Sequence, residues 1–239
     1  MSDTHRQART DLAAALRLAA RMGLHEGICN HFSYAVPGGE DHFLLNPHGL
    51  HWSEIRAGDL LLVDATGKVL EGGGKAEVSA ICIHAPLHRR HPRGRCVLHT
   101  HMPYATALTA IEDGRLEPVI QNALRFYGDV AYDRDYGGLA QDVDEGERIA
   151  RAMGDKRVLF MANHGIIVVG DSIAAAFDDL YYLERACQTQ VLAMSTGRPL
   201  KRISDNLAAT AFAEWAGREG SYARAHFEAL KRLLDREDA

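Results

Sequence analysis

The chain has 239 residues, 46% of them hydrophobic, and a formal net charge of −5. That length suits one α/β domain spanning residues 1–239, and such an apolar fraction can bury a core unaided. The acidic balance and the lack of a Lys/Arg run exclude an electrostatic footprint for nucleic acid or anionic lipid, which leaves a small-molecule substrate as the expected partner. No stretch approaches the roughly 18 apolar residues of a membrane span. The segment MSDTHRQARTDL is polar where a signal peptide needs an apolar core, so the expected location is cytoplasmic. Cys29, Cys82, Cys96 and Cys187 form no CxxC pair and read as small buried apolar residues.

In chain order, residues 6–23 place Leu12, Ala15, Leu16, Ala19 and Ala20 at helical spacing, with Gly23 as a stop. Residues 28–36 and 42–45 read as a hairpin around Pro37-Gly38-Gly39. Residues 60–64 and 69–70 read as a second hairpin around Ala65-Thr66-Gly67-Lys68, followed by three glycines at 72–74. The spacing over 78–90 predicts a helix kinked at Pro86 and ended by Pro92. Residues 95–101 read as a strand, as do 157–161 and 166–169. A long helix over 173–196 ends at Gly197-Arg198-Pro199. A helical tail from about residue 205 closes the chain, with Asp235-Arg236-Glu237-Asp238 expected to fray. Early strands flanked by helices predict a three-layer α/β/α sandwich around a largely antiparallel sheet.

The sharpest chemical signal is Val97-Leu98-His99-Thr100-His101-Met102-Pro103. Alternate side chains of a strand share a face, so His99 and His101 form a two-imidazole clamp. A catalytic metal keeps three protein ligands and an open position, and His164 in Asn163-His164-Gly165 is the candidate third ligand. The glycine there lets the chain turn sharply between two apolar runs.

The order RHPRGRCVLHTHMPYATAL, RFYGDVAYDRDYGGLA, KRVLFMANHGIIVVGDSIAAAFDDLYYLERACQTQ resembles the class II aldolase/adducin family from about residue 12 to 200. The resemblance implies that His99, His101 and His164 hold a divalent metal, zinc first, with manganese or iron as alternatives. It also implies a homotetramer. Family members use the metal as a Lewis acid toward developing negative charge. The implied function is a metal-dependent lyase, of aldolase or decarboxylase type, acting through a metal-stabilised enolate.

One departure from the family pattern bears on the substrate. The family's acid/base glutamate falls at Ala80, four residues before His84, and the nearby carboxylate is Glu77. Glu77 therefore enters as a candidate catalytic residue, with a solvated residue at a helix start as its structural alternative. The serine pair that would hold a substrate phosphate is also absent, and Lys75-Ala76 does not replace it. A small hydroxy acid, keto acid or aromatic carboxylate is expected instead of a sugar phosphate.

On the same resemblance Asn30, Asn46 and Gly49 are candidate substrate-binding residues, equally readable as turn residues. Tyr104, Arg125 and Tyr127 are candidates for carboxylate binding or proton transfer, with Tyr127 taken as a second catalytic residue. Tyr181, Tyr182 and Glu184 read as packed or solvated positions of the long helix. His84 and His88, at i and i+4, read as packing and surface residues because no acid completes a metal motif. Two other readings compete with the lyase. One is a non-heme Fe(II) oxygenase on the same three histidines, and the other is a non-catalytic, adducin-like interaction module.

Overall fold

The computed structural model describes residues 5–37, 41–216 and 218–237. The glycines of the first hairpin loop, Gly38 and Gly39, and Asp238 of the end expected to fray lie outside the described residues.

Helix α1 (Arg6–Arg21) is followed by β1 (His31–Ala35), β2 (Phe43–Leu45), β3 (Leu61–Val63) and β4 (Val69–Glu71). Helix α2 (Val78–Arg90) then leads to β5 (Cys96–Thr100), α3 (Pro103–Thr109), α4 (Gln121–Leu124) and β6 (Val130–Asp133). The order continues with α5 (Val143–Met153), β7 (Val158–Met161), β8 (Gly165–Gly170), α6 (Ile173–Met194), α7 (Asp205–Ala216) and α8 (Glu219–Glu237). The strands form one sheet in the order β4-β3-β2-β1-β5-β8-β7-β6. Among the described residues only β6 and β7 pair in parallel; the other ladders are antiparallel.

Strand alternation divides the core between the two faces of this sheet. Phe32, Cys96, Leu98, Ile166 and Val168 share one hydrophobic cluster with Leu12, Leu16, Leu180 and Leu183, so α1 and α6 cover that face. Val97, Leu159, Ile167 and Val169 point the other way and pack with Ile83 and Leu87 of α2 and Ile149 and Met153 of α5. Central strands covered on both faces need apolar residues at every position, and all five residues of β5 and all six of β8 are buried.

Helices α2 and α5 approach closely because Gly146 has no side chain: a Cβ there would stand 1.8 Å from the Cys82 carbonyl oxygen. Helix α2 continues through Pro86 to Arg90, with His91 as its C-cap.

The predicted helical tail is two helices. Phe227 of α8 packs on Phe177 of α6 with ring centroids 5.6 Å apart, and Lys231 Nζ donates to Asp11 of α1 at 2.7 Å. Among the described residues no helix is long and apolar enough to cross a membrane.

Candidate metal centre

The ladders bring one end of four strands together. His31 of β1 pairs with His99 of β5, Thr100 pairs with Ile166 of β8, and Met161 of β7 pairs with Gly165. His99 and His101 leave the end of β5, and His164 sits in the turn joining β7 to β8. That turn places Asn163 at φ 54°, a left-handed conformation that asparagine tolerates, and the His164 N–H donates to the Met161 carbonyl at 3.1 Å.

The three rings then face one another. Centroids are 5.1 Å apart for His99 and His101, 4.9 Å for His99 and His164, and 5.1 Å for His101 and His164. One nitrogen from each lies within 4.8 Å of the others. Gly165 makes this possible, because a Cβ at that position would lie 2.6 Å from His101 Cδ2 and 2.6 Å from the Thr100 carbonyl oxygen.

Hydrogen bonds select the nitrogens available to a metal. His99 Nδ1 donates to the Ile166 carbonyl at 3.0 Å, and His101 Nδ1 donates to Glu26 Oε2 at 2.6 Å. In a neutral ring this leaves each Nε2 with its lone pair free. His101 Nε2 is buried without a hydrogen-bond partner. An orphaned buried nitrogen costs about 1–3 kcal/mol unless something accepts its lone pair. Burial pushes the His99 pKa well below its ordinary value, with His31, His164 and His101 adding to the effect. Burial, then His101, lowers His164 to about 4. Imidazoles braced by a carbonyl and a carboxylate, each with Nε2 turned toward the others, are the ligand set of a divalent transition metal, so the residues present fit such an ion.

The remaining candidate residues divide by position. Asn30, 3% exposed and at φ 78°, accepts from the Glu26 and His101 N–H groups through Oδ1 at 3.1 and 3.2 Å, while its Nδ2 has no partner. It therefore ties the Glu26 loop to the His101 backbone. Asn46 accepts from the Phe32 N–H at 2.9 Å, and its Nδ2 reaches the Asn30 carbonyl at 3.5 Å, so its amide serves the backbone behind Asn30. Gly49 lies in an exposed turn at φ 92°.

Glu77 is the N-cap of α2, with its carboxylate 3.6 Å from His48 Nδ1 and a side chain 35% exposed. Ala80 is buried in a third apolar cluster with Phe43 and Leu45.

Two candidates lie elsewhere. Tyr127 follows α4, hydrogen-bonds Asp205, and stands two residues from Asp129. Asp129 binds Arg157 at the start of β7, the end opposite His164, so Tyr127 is not gathered into this cluster. Arg125 is 3% exposed, bonded to Asp178, and sandwiched over Tyr182 and Trp215, away from the three histidines. Tyr104 and Ala105 donate backbone N–H groups to Glu184 at 2.9 Å each, so this buried glutamate anchors the start of α3 directly after His101.

Several contributors went unread in the sequence. Glu26 carried no signal, because its contact with His101 spans 75 positions. His84 is packed as expected, whereas His88 is half-buried rather than on the surface. His84 is fully buried and hydrogen-bonded to His31, and His88 bonds Ser33 and the Gly94 carbonyl.

Comparison with known proteins agrees with this geometry. Residues 10–191 match the family described as Class II Aldolase and Adducin N-terminal domain. An aldolase II superfamily protein from Pseudomonas syringae has a structure with TM-score 0.92 and 36% identity, covering 99% of this chain and 95% of that one. The L-fuculose 1-phosphate aldolase from Glaciozyma antarctica PI12 superposes with TM-score 0.86 at 28% identity, covering 98% and 92%. Decarboxylase NovR from Streptomyces niveus is 32% identical over 203 residues, 82% of this chain and 75% of NovR. With the fold, the three-histidine cluster and these matches in agreement, the chain belongs to the class II aldolase and adducin N-terminal domain family.

Proposed function

We propose that the protein is a metal-dependent lyase that cleaves a carbon–carbon or carbon–carboxylate bond in a small hydroxy acid, keto acid or aromatic carboxylate. One observation carries this reading. His99, His101 and His164 converge with two Nε2 lone pairs set by hydrogen bonds, and one of those nitrogens is buried without a partner. An interaction module has no physical need for that arrangement, which weighs against an adducin-like scaffold.

The three histidines would hold a divalent cation, zinc by preference. Such an ion supplies Lewis-acid stabilisation of negative charge developing on a substrate oxygen, an effect of several kcal/mol. The chain's own residues then orient the site. Glu26 and the Ile166 carbonyl hold the imidazole tautomers, and Asn30 fixes the loop carrying Glu26 against His101.

Glu77, with His48 beside it, is the carboxylate offered for proton transfer, since Ala80 carries none. The unpartnered Asn30 Nδ2 is the amide offered to a substrate oxygen, with Gly49 in the adjoining turn. Asn46 serves by holding Asn30. Tyr127 has no part in this protomer's site. The reading includes a homotetramer working in the cytoplasm.

The test is turnover of a panel of hydroxy, keto and aromatic acids by zinc- or manganese-loaded protein, followed by release of carbon dioxide or aldehyde. Product that disappears with a chelator and with Glu77→Gln is expected. Full metal occupancy with no turnover across the panel contradicts the lyase reading. Native iron with substrate-dependent oxygen uptake would support the oxygenase instead.

A further inference from the structure

Behind the three-histidine cluster, on the α2 side of the sheet, lies a second set of imidazoles that the metal reading does not use. The His31 ring lies 4.9 Å from the His99 ring, centroid to centroid. From His31 a hydrogen-bonded chain runs inward. His31 Nδ1 meets His84 Nε2 at 2.7 Å, His84 Nδ1 meets Ser33 Oγ, Ser33 Oγ meets His88 Nε2 at 2.6 Å, and His88 Nδ1 meets the Gly94 carbonyl. In the opposite direction His31 Nε2 reaches Ser79 Oγ at 3.3 Å.

The direction of every bond follows from the far end. A carbonyl only accepts, so His88 Nδ1 carries hydrogen. Burial lowers the His88 pKa to about 4, and burial followed by His88 and His99 holds His84 well below its ordinary value. Both rings are therefore neutral, and His88 Nε2 must accept. Ser33 has one hydroxyl hydrogen and two nitrogen neighbours. That hydrogen goes to His88, so the bond between Ser33 and His84 needs hydrogen on His84 Nδ1. His84 Nε2 is then an acceptor, and His31 Nδ1 must donate to it.

The anchor is rigid. Gly94 sits so tightly that a Cβ would come 2.3 Å from the Leu87 carbonyl oxygen.

We propose that Ser33, His84 and His88 form a positioning chain that locks His31 as its Nδ1–H tautomer and points its Nε2 lone pair at Ser79, beside the three-histidine cluster. Ser79 then gives its hydrogen to His31 and shows only lone pairs toward the site. What it takes there is a hydrogen-bond donor, such as the hydroxyl of a hydroxy acid. The tautomer lock stands on the hydrogen-bond geometry and on the burial that keeps His84 and His88 neutral, and only the role of Ser79 toward substrate rests on the lyase reading.

The experiment is long-range 1H–15N correlation NMR on metal-free protein labelled with 15N-histidine, at about pH 7.5. Expected are neutral rings with hydrogen on Nδ1 at His31, His84 and His88. In Ser33→Ala, His88 keeps this tautomer while His84 and His31 lose it, and Ser33→Thr restores both. Hydrogen on Nε2 of His84 or His88 in the wild type overturns the proposal. So do unchanged His31 and His84 tautomers in Ser33→Ala. Should Ser33→Ala fail to fold, the wild-type pattern still decides.

A second arm compares glycolate with methoxyacetate as ligands of zinc-loaded protein. A preference of about ten-fold for glycolate that disappears in Ser79→Ala is expected, and a preference that survives overturns the role of Ser79. Absence of zinc binding would defeat the lyase reading while leaving the tautomer result readable.

Discussion

His31 lies directly across the β1–β5 ladder from His99, and the two rings face the same side of the sheet 4.9 Å apart. The register that pairs them also delivers His101 and His164 to the same sheet end, since β5 continues the ladder to β8 and β8 to β7. The candidate metal centre is thus a product of strand register. A slip of one residue would turn His99 to the opposite face.

Glu26 tests the bracing of the ligands. Glu26→Gln removes the charge that holds His101 Nδ1–H, and the side chain is 66% exposed, so the fold has little to lose. Zinc affinity should fall about 10- to 100-fold. Folding stability should change by less than about 0.5 kcal/mol. Competition with a chromophoric chelator reads the affinity, and wild-type affinity would remove Glu26 from the site.

Gly165 tests the packing of the cluster. In Gly165→Ala the new methyl meets backbone, the Thr100 carbonyl at 2.6 Å, as well as the His101 ring, so rotation of a side chain cannot relieve it. A loss of about 1–3 kcal/mol is expected from overpacking. Zinc affinity should fall along with the urea midpoint. A fall in stability with intact affinity would show that the ring of His101 need not sit where it does.

Acid should destabilise the metal-free protein through its buried imidazoles. His88 holds a folded pKa of about 4 against an ordinary 6.5, so the unfolded chain binds more protons between those values. The contribution is therefore full above about pH 6.5 and is lost as pH falls toward 4. His84 and His99 shift in the same direction. Urea midpoints at pH 7.5, 6 and 5 should fall in that order, and a flat profile would mean the imidazoles are not buried and neutral.

The C-terminal helices are tied down by a buried ion pair. Arg125 and Asp178 are 3% and 2% exposed, and His226 of α8 donates to Asp178 at 2.7 Å. Asp178→Ala strands the guanidinium between Tyr182 and Trp215. A cost of about 3–5 kcal/mol is expected for one uncompensated buried charge. Thermal unfolding and proteolysis of the region around α7 and α8 would show it, and an unchanged melting curve would contradict the network.

How much of this was legible in the sequence follows from where each element gets its stability. Helices α1, α2 and α6 and the antiparallel strands carry their own periodicity, and the sequence places them within a few residues. The segment from α3 to α5 does not. Strand β6 (Val130–Asp133) has only one buried residue and is held by parallel pairing to β7, a long-range contact with no local pattern. Helix α5 uses Gly146, a poor helix former, at its contact with α2, because only glycine lets the backbones meet.

The same division holds at the site. The spacing of His99 and His101 and the turn at His164 could be read locally. Glu26, His31 and the Ser33 chain depend on tertiary neighbours. Tyr127, taken as a candidate because a phenol can act as a general acid, follows the loop after α4 to the opposite end of β7.

The most direct test of the account is elemental analysis of anaerobically purified protein beside its His99→Ala variant, with circular dichroism to confirm that both are folded. The account predicts about one divalent metal per wild-type chain and none in the variant, whose fold persists because the core does not depend on the ion. Metal retained by His99→Ala at wild-type stoichiometry, or none bound by the wild type even after reconstitution, would contradict it.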